Sequence, residues 1–359
     1  MPVALFDTAT PLEPLREELR AAVERVIAGG RFILGPEVEA FETEFAAYVG
    51  AEHAIGVANG TDALTIALRA MGVGPGDEVV VPSFTFYATA EAIPHTGASA
   101  VFCDIDPETL CVSAETVAAA LTPRTKAVIA VHLFGNLAPV AEIAALGVPV
   151  LEDAAQAAGS LAAGGGRAGS LGAAATFSFY PSKNLGAFGD GGAITTSDAA
   201  VAERVRMLRF HGSADKEHFE LVGYNSRLDA IQAAVLRVQL PHLDAWADAR
   251  HAAAARYAAA GLGELVALPS AGEGCRPAWH LFVVRSERAD ELAAALRERG
   301  VEARGYYRVP LHRQAPLLSD VSLPHTDAAA AANLAIPIGP SLSEAAVAEV
   351  VAAVAQALA

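Results

Sequence analysis

Short, almost wholly apolar runs alternate along this chain with segments whose apolar residues recur every three or four positions. Runs at about 53–58, 78–82, 98–103, 126–131, 148–152, 174–179 and 192–196 read as strands. VVV at 79–81 and AVIAV at 127–131 show no polar alternation, which suits strands buried on both faces. Between most of them lie helical patterns at 61–71, 85–93, 113–121 and 139–146. This alternation predicts an α/β fold, with a three-layer, mostly parallel sheet covered by helices.

The flanks follow other rhythms. Residues 11–28 read as an amphipathic helix stopped at Gly29-Gly30, and a second helix follows Pro36 to about Tyr48. From 198 the pattern turns helical, at 198–210, 227–239 and 241–260. A break at LPSAGEGCRP precedes a strand-like WHLFVVR (279–285), then a helix at 288–299, a Gly-Val turn and another extended segment. A terminal helix spans about 343–357, with Ser341 or Ser343 as its cap. The expected division is 1–245, an N-terminal segment plus a large domain, and 246–359, a small α+β domain. The alanine-rich stretches 251–260 and 328–332 read as helix surface.

Composition narrows the classes. With 53% hydrophobic and 18% charged residues over 359 positions, the chain can bury a sizeable core and is globular. Its net charge of -16 gives no electrostatic footprint for nucleic acid. Cys103, Cys111 and Cys275 are scattered, with no CxxC pair, so no metal site or disulfide framework is expected; free thiols fit a reducing cytoplasm. The opening MPVALFDTATPLEPL has early acidic residues and no long apolar run, unlike a signal peptide. No uninterrupted apolar stretch is long enough to span a membrane.

The candidate chemistry lies in four segments. FSFYPSKNLGAFGDGG (177–192) carries Lys183 between an aromatic strand that ends in a hydroxyl, Ser178, and a glycine-rich loop. A lysine held in so apolar and constrained a setting suits a Schiff base with pyridoxal phosphate, and then proton transfer by the same amine. VLEDAAQAAG (150–159) ends a buried strand in Glu152-Asp153; a carboxylate there points into the crevice where parallel sheets bind ligands. Asp153 against a pyridine nitrogen would keep it protonated, and Gln156 could bond the phenolic oxygen. Taken alone, Asp153 is as readily a helix cap. GVANGTDAL (56–64) sets Gly60 and Thr61 at a helix N-terminus, an anion site or an ordinary capped turn. VGYNSRLDAIQAAVL (222–236) puts a polar loop with Asn225 and Arg227 before an apolar helix.

Together these segments resemble the DegT/StrS-type sugar aminotransferases, pyridoxal-phosphate enzymes with the fold of aspartate aminotransferase. The resemblance covers essentially the whole chain and includes GPEVEAFETEFAAYVGAEHAIGVANGTDAL (35–64), PSFTFYAT (82–89), VHLFG (131–135), EDAAQAAGS (152–160) and GSLG (169–172). It implies Lys183 as the Schiff-base lysine, Asp153 as the pyridinium partner and Gln156 beside the phenolic oxygen. It further implies Gly60, Thr61 and Ser178 on the phosphate and Phe86 stacked on the ring. Asn225 matches a residue that reaches the phosphate of a neighbouring subunit, which implies a homodimer with composite sites. Ala173 departs from the aspartate many relatives carry, which puts a local structural hydrogen bond in doubt.

The resemblance implies transfer of an amino group, from L-glutamate by analogy, to a keto-sugar on a nucleoside diphosphate. Arg31, Phe32, His211, Tyr306, Tyr307 and His312 are candidates for the sugar, each equally readable as surface or packing. HGS followed by Lys216, His218 and NSRLD leans toward amination at C3, with C4 the competitor. Lysine rather than histidine at 183 separates transamination from dehydration. A non-catalytic cofactor-binding regulator and a cysteine desulfurase using Cys275 are the other readings.

Overall fold

The order of the strands explains where the chemistry gathers. A computed structural model of the chain describes residues 3–359, so Met1 and Pro2 of the N-terminal segment lie outside the described residues. The strands of the main sheet are β1 (His53–Val57), β2 (Glu78–Pro82), β3 (Ser99–Cys103), β4 (Thr125–Val131), β5 (Val150–Asp153), β6 (Ala174–Ser178) and β7 (Gly192–Thr196). They lie in the order β1-β7-β6-β5-β4-β2-β3. β3, β2, β4, β5 and β6 run parallel, and β7 runs antiparallel to both β6 and β1. The expected α/β architecture is therefore present, each strand within one or two residues of its apolar run. β2 is buried at every position, as its unbroken apolar run requires.

Helices cover both faces. Gly60–Ala70 packs its Ala63, Ile66 and Ala67 into the core that holds β2 and β4. On the other face, Phe41 and Phe45 of Pro36–Val49 meet Phe177 and Phe179 edge-on, with ring centroids 4.9–5.4 Å apart. Edge-to-face packing of four aromatic rings makes a stiff floor beneath the end of β6. The first amphipathic segment differs from a single helix: Thr10–Leu15 is a 3₁₀ turn and the α-helix is Arg16–Gly29. Pro11 and Pro14 remove the backbone donors an α-helix needs there, and Gly30 closes the helix in the left-handed conformation.

β8 (Phe282–Arg285) and β9 (Asn333–Ile336) form a two-stranded antiparallel sheet covered by Ala289–Glu298 and Glu344–Leu358, the latter capped by Ser343. Helix Leu243–Ala259 spans both parts: Leu243 packs under the main sheet, while Ala253 and Tyr257 belong to the C-terminal core. Val3 bonds the Gly300 carbonyl and bridges Val301, so the chain's start lies on the C-terminal part. The alanine stretches are not pure surface, because Ala253, Ala329 and Ala330 are buried. Among the described residues, no helix is long and apolar enough to cross a membrane and no cluster of metal-ligating side chains occurs. Cys103, Cys111 and Cys275 are all free thiols.

Candidate active site

Asp153 ends β5, in register with Val131 of β4 and Thr176 of β6, at the carboxyl edge of the parallel sheet. It is buried, and its Oδ2 accepts from Thr89 Oγ1 at 2.8 Å while Oδ1 accepts from the Ala155 N–H at 3.2 Å. Burial pushes its carboxyl above the usual range; the Thr89 and Ala155 bonds and the charges of Lys183 and His132 pull the other way. A positively charged ring nitrogen beside Asp153 would pull in the same direction as Lys183 and His132, toward the ionised carboxylate.

Lys183 lies on the loop from β6 to β7. Its N–H bonds the Tyr180 carbonyl, and the loop is pinned by Gln239 Nε2 to Gly186, Asn184 Nδ2 to Ala278 and the Phe188 N–H to Gln232 Oε1. Loss of hydration lowers its amine to about 8, against the pull of Asp153. The amine is therefore partly neutral near neutral pH, as a nucleophile and proton carrier must be.

The anion end forms where helix Gly60–Ala70 meets β6. Asn59 caps it by accepting from the Asp62 N–H at 2.8 Å. The N–H groups of Gly60 and Thr61 and the Thr61 hydroxyl have no protein acceptor among the described residues. Ser178 Oγ accepts from Tyr180 and keeps its own proton. A Cβ at Gly60 would sit 2.8 Å from Ser178 Cβ, and one at Gly192 would sit 2.5 Å from the Asn59 carbonyl oxygen. Glycine at both places lets the helix end close on the strand. Unspent N–H groups and hydroxyls at a helix N-terminus fit a phosphate. With Lys183 and Asp153, this donor set fits pyridoxal phosphate.

Gln156 is more committed than expected. Its Oε1 accepts from the Phe134 N–H at 2.6 Å and its Nε2 donates to the Tyr307 hydroxyl at 2.9 Å. Tyr307 stacks on Phe134 at 5.9 Å, with Phe84 and Phe86 nearby, and holds a left-handed φ of 55°. Burial raises its phenol above the ordinary value, so the hydroxyl stays protonated. Phe86 is 58% exposed, an aromatic face open to a ring. Tyr306 flanks this wall, its N–H held by Asn333.

Other candidates lie apart. Arg31 and Phe32 are exposed on a strip beside Asp229 and Ala230, where the Phe32 carbonyl accepts from the Ala230 N–H. Asn225 is exposed, bonded by Arg227 and bridged to Phe210 next to His211. Arg31, Phe32, Asn225 and His211 are thus all exposed, while Ser226, next to Asn225, accepts from the Ala58 N–H at 3.1 Å, two residues before Gly60. His312 differs from expectation: it is buried, with Nδ1 on Ser83 Oγ at 2.7 Å and Nε2 accepting from Arg313. Both nitrogens are spent inside the protein, which makes it a packing residue rather than a sugar contact. Ala173 lacks a side-chain bond, but its carbonyl takes one from Thr196 Oγ1.

Two supports escaped sequence reasoning. Thr89, within PSFTFYAT, reaches Asp153 only because β2 and β5 end on the same edge. Glu152, buried, accepts from Gly169, Leu171 and Gly172 N–H groups and from His132 Nε2, whose Nδ1 accepts from Ala138. It ties the strand that carries Asp153 to the loop before β6. The paired residues Glu152-Asp153 signalled a carboxylate site; only the fold shows that one faces the crevice and the other the scaffold.

A family model described as the DegT/DnrJ/EryC1/StrS aminotransferase family matches residues 13–355. The chain is 46% identical over 350 residues to a dTDP-3-amino-3,4,6-trideoxy-alpha-D-glucose transaminase of Streptomyces venezuelae, covering 95% of this chain and 92% of the relative. It is 45% identical over 355 residues to a "Pleiotropic regulatory protein" of Geobacillus stearothermophilus, covering 96% and 95%. The crystal structure of S. venezuelae DesV, in complex with a ketimine intermediate, superposes with a TM-score of 0.95 at 45% identity, covering 99% of this chain and 98% of that one.

Proposed function

Because the chain belongs to the DegT/DnrJ/EryC1/StrS aminotransferase family, we propose that it moves an amino group from L-glutamate to C3 of a keto-sugar carried on a nucleoside diphosphate. The observation that carries this reading is the juxtaposition of Lys183, its amine lowered to about 8, with buried Asp153 at the carboxyl edge of the sheet. Its cofactor is pyridoxal phosphate, which supplies an electron sink for the charge left when a proton leaves the carbon that bears the nitrogen. The protein supplies the rest. Gly60, Thr61 and Ser178 would hold the phosphate, Asp153 would face the ring nitrogen, Phe86 would cover one ring face and Gln156 would lie by the phenolic oxygen. Lys183 would take the proton from the carbon on one side of the nitrogen and return it to the carbon on the other side, so orientation contributes directly to rate.

Amination at C3 is supported by the activities for which relatives are named. Besides the S. venezuelae enzyme, a 42% identical relative from Acidithiobacillus ferrooxidans is named as a UDP-N-acetyl-3-dehydro-alpha-D-glucosamine 3-aminotransferase. The exposure of Arg31, Phe32, His211 and Asn225 is what a shared site in a homodimer would leave on one protomer. Exposed Ile27, Ile33 and Phe188 add the apolar area that a second copy would cover. We assign residues 1–245 and 246–359 to two domains joined through helix Leu243–Ala259, and the cytoplasm as the place of action.

A second reading, a regulator that binds cofactor without turnover, draws on the regulatory name of the Geobacillus relative. Both readings use the Lys183 amine to capture the cofactor, and transfer of nitrogen to a sugar is what separates them. Borohydride reduction of the purified protein followed by peptide mass mapping tests the central assignment. The cofactor mass is expected on the peptide that contains Lys183 and absent from Lys183→Ala; a cofactor adduct on any other lysine would refute it.

A further inference from the structure

Gln156 bonds two residues that both hold left-handed backbone, Phe134 at φ 59° and Tyr307 at φ 55°. Such conformations persist in bulky residues only where the surroundings over-determine them. The turn at Phe134–Gly135 is held by the Ala278 N–H and the Ser160 hydroxyl, which donate to the Gly135 carbonyl, and by the Leu281 N–H, which donates to the Phe134 carbonyl. A Cβ at Gly135 would sit 2.8 Å from the backbone nitrogens of Trp279 and His280 and 3.1 Å from the Gln156 carbonyl oxygen, so only glycine lets this turn close. Tyr307 is fixed from the other side. Arg304 exchanges backbone bonds with Ala335 of β9, the Tyr306 N–H donates to Asn333 Oδ1, and the Leu311 N–H donates to the Ser83 carbonyl. The Phe134 and Tyr307 rings then stack with planes 2° apart, and Phe84 packs edge-on against both.

This clamp decides how the Gln156 amide lies. A backbone N–H can only donate, so the amide atom 2.6 Å from the Phe134 nitrogen must be Oε1. The amide nitrogen therefore faces Tyr307, whose oxygen accepts at 2.9 Å. Burial holds the phenol above its ordinary value, against the pull of that bond, so the acceptor is a neutral hydroxyl. One Nε2 hydrogen is spent here, and the other has no acceptor among the described residues. Gln156 is only 9% exposed, so the second hydrogen is poorly served by water and is the one left for a ligand oxygen. Without the Tyr307 oxygen the amide would be held at one point instead of two, and its nitrogen could swing.

We propose that Tyr307 is a positioning residue rather than a sugar contact: its hydroxyl, carried by the C-terminal part, sets the Gln156 amide so that the second Nε2 hydrogen is presented to the cofactor's phenolic oxygen. This rests on the placement of Gln156 in the function proposed above. The C-terminal part thereby acts on the cofactor through Gln156. A hydrogen bond donated to the phenolic oxygen favours its ionised form, and a donor already held at two points gives up less freedom in making that bond. Direct contact with the keto-sugar is the competing role for the same hydroxyl.

The two roles separate on cofactor-loaded protein with neither amino donor nor sugar present. Tyr307→Phe keeps the ring, its stack on Phe134 and its edge contact with Phe84, and removes only the oxygen. In this variant and in Gln156→Leu, the visible absorbance maximum of the bound cofactor should move, and cofactor should leave about tenfold faster in gel filtration. Because Tyr307 acts through Gln156, adding Tyr307→Phe to Gln156→Leu should change release by less than about twofold. A group that only supports the fold would not move the absorbance. Tyr307→Phe with unchanged absorbance and release but a raised sugar KM would make Tyr307 a sugar contact and overturn the proposal. Losses that simply add in the double variant would overturn it too, because Tyr307 would then act independently of Gln156. Unchanged absorbance in Gln156→Leu would instead remove Gln156 from the phenolic oxygen, and the proposal would fall with that placement.

Discussion

At the scale of residues, burial does most of the chemistry. The same loss of hydration that raises the Asp153 carboxyl lowers the Lys183 amine to about 8. Pyridoxal phosphate is captured only by a neutral amine. Capture by cofactor-free protein, followed by absorbance, should therefore speed up as pH rises and level off through about 8. A midpoint above about 10, the range of an ordinary lysine, would show that the amine is not desolvated. Lys183, Asp153, Gly60, Thr61 and Ser178 stand out as candidates in the sequence because each sits in a local motif. Thr89 and the Tyr307 bond to Gln156 do not, because they meet their partners from distant segments and carry no local signature. His312 misled for the same reason: a polar residue in a polar stretch does not announce that Ser83 and Arg313 enclose it.

At the scale of elements, the strands were readable because their apolar runs must be buried on both faces. The short helices were readable only in outline. Tyr87–Glu91, Ala114–Ala118 and Val140–Ala144 are shorter than their patterns suggested. The joint between β5 and β6 is held by Glu152, with three backbone donors and His132 on one carboxylate. Glu152→Gln keeps the shape but turns an amide NH₂ toward groups that donate. Urea unfolding should show a loss of about 2–4 kcal/mol at an unchanged m-value. A change below about 0.5 kcal/mol would mean the carboxylate is not structural.

At the scale of the molecule, the proposed dimer would give one protomer two half-sites. The Lys183 group lies at the sheet edge, while Asn225, Arg31, Phe32 and His211 are exposed. If those residues complete a partner's site, light scattering should report a dimer. Asn225→Ala should then release the cofactor about tenfold faster in gel filtration, the effect of one lost charge-assisted bond. An active monomer would contradict shared sites. No pattern of hydrophobic and polar residues along the chain could show this division, because it depends on which loops the fold leaves on the surface.

The most direct measurement of the whole account is the fate of the donor nitrogen. Wild-type protein is incubated with ¹⁵N-labelled L-glutamate and a dTDP-linked 3-keto-sugar, and the product is read by ¹H–¹⁵N correlation NMR. The account predicts ¹⁵N bonded to C3 of the sugar, with none incorporated by Lys183→Ala. An unlabelled product that has lost a hydroxyl, or a sugar recovered unchanged by cofactor-loaded protein across dTDP-, UDP- and GDP-linked keto-sugars, would contradict it.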